Sequence, residues 1–61
     1  MSATRVLIVE DELPLRLALR DALAGEGFEV LEAADGEAGL TLALREAPEL
    51  VLLDLMLPKR D

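Results

Sequence analysis

LVLLDLMLP, Leu50 to Pro58, decides how this chain is read. Its aliphatic run surrounds one carboxylate, Asp54, and a charge in such a run is expensive to bury unless something pairs with it or binds it. Either a strand ends there and Asp54 looks out of a crevice, or the charge is paired. A matching feature lies near the start, where VLIV (Val6 to Val9) runs straight into Glu10, Asp11 and Glu12. Two apolar strands that both finish in carboxylates predict one acidic site built at their ends.

Working outward from these two runs, Arg5 to Val9 reads as a strand buried on both faces, because it is continuously apolar rather than alternating. Leu13-Pro14 opens a helix, and proline suits the first helical position, where its missing N–H is no loss. Leu15, Ala18, Leu19, Ala22 and Leu23 follow at helical spacing as the inward stripe. Gly25 and Gly27 are candidates for a left-handed end. Phe28 to Ala33 is a second strand whose Glu29 and Glu32 suit an edge position. Asp35 is the expected N-cap of a second helix, with Glu37 in its first turn. That helix runs to about Glu46 with Gly39, Leu40, Ala43, Leu44 and Ala47 on one stripe, and Pro48 stops it. Leu50 to Leu53 is the third strand, and a loop follows from Leu55 to Asp61.

Strands alternating with helices at this spacing predict βαβ units, a parallel sheet and right-handed crossovers. With the edge-like second strand outside the first, and the third on the first strand's other side, the order is 2-1-3. The helices then cover opposite faces. A topological switch point falls between strands 1 and 3, where open α/β sheets bind ligands. Glu10, Asp11 and Asp54 all fall at the carboxyl ends of those strands.

Composition narrows the chemistry. Sixty-one residues make at most one small domain. Six basic against thirteen acidic residues give a net charge of −7, which argues against nucleic acid held through its phosphates and favours a cation or a basic partner. A hydrophobic content of 52% argues against disorder. With no Cys and no His, disulfides, cysteine-based zinc sites and histidine bases are excluded. No apolar run reaches membrane-span length and no signal peptide is evident, so the expected location is cytoplasmic. Three clustered carboxylates repel one another unless a hard divalent cation sits among them, and Mg²⁺ takes one or two carboxylates with waters and a phosphate. A carboxylate beside such an ion is also a competent nucleophile for phosphoryl transfer, giving an aspartyl phosphate.

VLIVEDE, the helix after it, the DGE turn and LVLLDLMLPKRD together resemble the N-terminal half of a response-regulator receiver domain, over essentially the whole chain. The resemblance implies a partial flavodoxin-like fold, and because the family has the same strand order, the two expectations are not independent. It further implies that Asp54 is the phosphoacceptor and that Asp11 binds Mg²⁺ directly. Glu10 assists through water, and Met56 offers its backbone carbonyl to the ion. The implied phosphodonor is a phosphohistidine on a sensor histidine kinase. Leu13 and Leu17 are candidates for its docking face, although ordinary surface or dimer contacts are the commoner role for such leucines. Asp35 is expected to cap a helix and do no chemistry.

Receiver domains have five strands, so residues 1–61 are expected to form a truncated half-domain. The Ser/Thr of strand 4 and the Lys of strand 5, which sense the phosphoryl group, are missing, and phosphorylation is expected to be impaired. An uncovered third strand is expected to pair with that of a second copy, antiparallel, as a homodimer. The alternative function is accordingly a self-associating fragment with a vestigial acidic pocket. A nucleotide-binding enzyme would need glycines where Glu-Asp-Glu stands. An aspartyl-phosphate phosphatase would need an acid where Met56 stands.

Overall fold

A computed structural model describes residues 3–53. Strand β1 (Arg5–Val9) lies between β2 (Glu29–Ala33) and β3 (Leu50–Leu53), in the order β2-β1-β3 with both pairings parallel. Helix α1 (Leu13–Gly25) joins β1 to β2, and α2 (Gly36–Glu46) joins β2 to β3. The expected architecture and strand order are therefore observed. The second strand begins at Glu29, one residue later than its composition suggests. Among the described residues no helix is long and apolar enough to cross a membrane.

Continuous burial explains the position of β1. Val6, Leu7 and Ile8 are essentially inaccessible to solvent, as only a central strand covered on both faces allows. Register then sorts the side chains. Leu7 and Val9 share a face with Leu31 and Ala33, and α2 packs on them through Leu42 and Ala43. Val6 and Ile8 share the other face with Val30 and Glu32, where Arg16 and Arg20 of α1 reach Glu32. The two helices thus lie on opposite faces.

Both helix stripes are rotated from their expected positions. On α1, Leu15, Ala18 and Ala22 are exposed, whereas Arg16, Leu17, Leu19, Arg20 and Leu23 are half-buried. Arg16, its side chain 16% exposed, reaches Glu32 on the covered face, and Arg20 approaches the same carboxylate from a more open position. On α2 the inward residues are Gly39, Leu42, Ala43 and, partly, Glu46, while Leu40 and Leu44 remain 61% and 78% exposed. Here the cause is Gly39. Lacking a side chain, it lets the helix approach so closely that an added Cβ would stand 2.7 Å from a Val9 methyl.

The helix ends follow from local chemistry. Pro14 is the second helical residue, after Leu13, and Glu12 occupies the N-cap without a side-chain cap hydrogen bond. At the other end Gly27, at φ 98°, turns the chain left-handed. Its N–H donates to the Ala24 carbonyl at 3.0 Å and that of Phe28 to the Leu23 carbonyl at 3.1 Å, the paired bonds of a Schellman end. Gly25 is simply the last helical residue. Asp35 caps α2 as expected, its Oδ1 accepting from the Ala38 N–H at 2.8 Å. Ala47, also left-handed, ends the helix before Pro48.

At the amino ends of the strands, Arg5 clips the sheet to the end of α2. Its guanidinium donates to the Glu46 carbonyl and to Glu46 Oε1, both at 2.7 Å, where a cation also complements the helix C-terminus. Beyond β3, no described strand pairs with its outer edge. Leu50, Val51 and Leu53 are 41–58% exposed. An open apolar groove of about 240 Å³ runs beside them, lined by Val9, Gly39, Leu40, Ala43, Val51 and Leu53 among others.

Candidate functional site

The acidic loop starts where β1 stops. Glu10 continues the ladder for one more bond, its N–H donating to the Ala33 carbonyl at 3.0 Å. Glu10 is buried, only 2% exposed, and its Oε2 accepts from the Glu12 N–H at 3.0 Å. Its carbonyl accepts from Arg16 Nη1, also at 3.0 Å. The N–H, carboxylate and carbonyl of one residue are thus tied to the end of β2, to the N-cap of α1 and to α1 itself. Asp11 and Glu12, by contrast, are exposed.

The register places this loop at the switch point. Val9 pairs with Leu53, the last residues of β1 and β3, and in the sequence Glu10 follows the one and Asp54 the other. Asp54 and Met56 lie outside the described residues. Of the expected site, the structure therefore positions Glu10 and Asp11 and the end of the strand leading to Asp54. On α1, Leu13 is 52% exposed and Leu17 half-buried, so only Leu13 is fully presented for docking.

Among the described residues no group of three or more acids, histidines or cysteines is gathered tightly enough to hold a metal. The donor chemistry of Glu10 and Asp11 nonetheless suits Mg²⁺. It is all oxygen, it supplies the one or two carboxylates that ion takes, and Asp11 is accessible for direct contact.

Arg5, Arg16 and Arg20 each meet a glutamate far away along the chain. Arg16 Nε donates to Glu32 Oε1 at 3.1 Å, and Arg20 Nη1 stands 3.6 Å from Glu32 Oε2. A hydrogen bond and charge attraction from Asp21, with smaller contributions from Glu32, raise the Arg20 guanidinium above its ordinary value against a small opposing effect of burial. Arg5 meets Glu46, and lies 4.0 Å from Glu29. The available signal was the pair of glutamates in the second strand, together with arginines four apart on the first helix.

A three-stranded parallel sheet with acids after its central strand is the framework of a signalling receiver rather than of a nucleotide-binding enzyme, whose glycines are lacking there. Residues 6–61 match the response regulator receiver domain, and the chain belongs to this family of two-component response regulators. It is 44% identical over all 61 residues to the probable transcriptional regulator ycf27 of Porphyridium aerugineum, covering 25% of that protein. Over 58 residues, 95% of the chain, it is 50% identical to the KDP operon transcriptional regulatory protein KdpE of Escherichia coli, covering 26% of it. It is also 45% identical over 58 residues, 93% of the chain, to the transcriptional regulatory protein PdtaR of Mycobacterium tuberculosis, covering 28%. The chain spans about a quarter of the length of these curated relatives.

Proposed function

We propose that Asp54 accepts a phosphoryl group from a phosphohistidine of a sensor histidine kinase, with Mg²⁺ held by Glu10, Asp11, Asp54 and the Met56 carbonyl. The observation that carries this reading is the placement of Glu10 and Asp11 at the carboxyl end of β1, in register with the end of β3. An ionised carboxylate needs no base, which agrees with a chain that contains no histidine. A carboxylate oxygen of Asp54 attacks phosphorus while the P–N bond to the donor imidazole breaks. The electron pair leaves with the imidazole nitrogen, which takes a proton from solvent. When bound, the metal ion supplies positive charge that offsets repulsion between the acids and the incoming phosphoryl oxygens. Glu10 holds the loop from behind and Asp11 presents its carboxylate.

The test separates metal from transfer. Mg²⁺ titration followed by NMR is expected to move the signals of Glu10 and Asp11. Acetyl phosphate is expected to add one phosphoryl group at Asp54, seen by mass, and none in Asp54→Asn. No shift and no adduct would refute the reading.

A second reading rests on the bare outer edge of β3. Its exposed Leu50, Val51 and Leu53 and the adjoining apolar groove suit a second copy of this chain, pairing strand to strand about a two-fold axis. In that assembly the molecule is a self-associating module and the acids are vestigial. Sedimentation is expected to give a dimer at micromolar concentration that Val51→Lys converts to a folded monomer. A folded monomer of the unsubstituted chain would exclude it.

A further inference from the structure

We propose that Arg16 is a positioning residue for the acidic loop, locking the Glu10–Asp11 peptide against Glu32 of the neighbouring strand. This rests on the Mg²⁺ reading above for its functional consequence, though not for its geometry. The Arg16 side chain is only 16% exposed, and a guanidinium so covered is costly unless its donors are used. Two of them are used in one plane: Nε donates to Glu32 Oε1 at 3.1 Å and Nη1 to the Glu10 carbonyl at 3.0 Å. Arginine's flat, rigid fork suits this double contact, whereas the single ammonium of lysine is a point charge.

What the second bond fixes matters most. The Glu10–Asp11 peptide is trans and planar, so holding the Glu10 carbonyl also sets the direction of the Asp11 N–H and of the chain that carries the Asp11 carboxylate. The neighbouring bonds act in the same sense: Glu10 N–H to Ala33, and Glu12 N–H to the Glu10 carboxylate. Glu32, paired with Ile8 in the register, is anchored in β2 and gives the clamp a fixed base. Arg20 supplies the natural comparison. It lies on the same helix and approaches the same Glu32 at 3.6 Å, but its closest bond, at 2.9 Å, goes to Asp21.

Charge and positioning predict opposite signs. Removing a cation beside a Mg²⁺ site strengthens Mg²⁺ binding by Coulomb's law alone, whereas loosening the loop weakens it. The experiment compares the chain with Arg16→Gln, Arg16→Lys and Arg20→Gln by NMR, first without metal and then with MgCl₂. In Arg16→Gln the Glu12 amide is expected to exchange with solvent faster, and Mg²⁺ binding to weaken by roughly tenfold, the usual scale for loss of a group that orients a ligand. Arg16→Lys keeps the charge and loses the fork, so it is expected to show the same direction and decides the matter if Arg16→Gln does not fold. Arg20→Gln is expected to change neither readout. An unchanged Glu12 amide, or tighter Mg²⁺ binding, in the Arg16 variants would overturn the proposal. If the unsubstituted chain binds no Mg²⁺, the metal reading fails while the amide readout still judges the clamp.

Discussion

Gly39→Ala tests how closely α2 is seated on β1. Alanine is normally the better helix residue by about 1 kcal/mol, so on propensity alone the substitution stabilises. In this structure the new Cβ would stand 2.7 and 3.3 Å from the two methyls of Val9 and 3.6 Å from its Cβ. Valine is stiff at χ1 and this one ends a central strand, so relief requires the helix or the strand to move. Overpacking of this kind costs about 1–3 kcal/mol, leaving a net loss on the order of 1 kcal/mol. In a Val9→Ala background the obstruction is gone and the same substitution should stabilise by about 1 kcal/mol, a coupling of roughly 2 kcal/mol. Urea unfolding followed by far-UV circular dichroism measures all four proteins, the chain having no Trp or Tyr to report by fluorescence. An equal gain from Gly39→Ala in both backgrounds would refute the close approach.

Three other substitutions probe the elements that carry the loop. Asp35→Ala removes the side-chain cap on α2 and should cost about 1 kcal/mol in urea unfolding, while Asp35→Asn should cost much less. Gly27→Ala, at φ 98°, should destabilise by about 1 kcal/mol, whereas Gly25→Ala, helical and with nothing within 4 Å, should be neutral or stabilising. A reversed order in thermal melts would contradict the Schellman end. Arg5→Met gives up both Glu46 contacts and should cost about 1 kcal/mol, after allowing for the partial exposure of the pair. That loss should shrink in high salt, and a salt-independent loss would point to packing of the arginine stem instead.

The strands and their order were legible because Val6 to Val9 and Leu50 to Leu53 are continuous apolar runs, while Glu29 and Glu32 mark the second strand as an edge. Asp35 was legible because a cap is a local bond. The helix faces were legible only in part: Leu19, Leu23, Gly39 and Ala43 turn inward as expected, whereas Leu15, Leu40 and Leu44 do not. Reading a stripe assumes that apolar side chains define the inward face, but α2 turns inward at a glycine, and α1 carries Arg16 beneath it. Glu32 looked like edge polarity and is in fact the base of an ionic clamp, which depends on a cross-strand register that no short window contains. Of the site, Glu10 and Asp11 could be read as acids following a strand. The three attachments of Glu10, two of them to groups at least six positions away, could not.

Central placement of β1 also has a bearing on how the molecule assembles during synthesis. Val6 meets Val30, 24 positions along the chain, and Leu50 only at 44 positions, a difference worth roughly 0.5 kcal/mol in ring-closure entropy. The described groups that hold Glu10 (Ala33, Glu12, Arg16 and, through it, Glu32) belong to the earlier unit. A ribosome that has released residues 5–33 has therefore already delivered these contacts, before the strand leading to Asp54 has emerged.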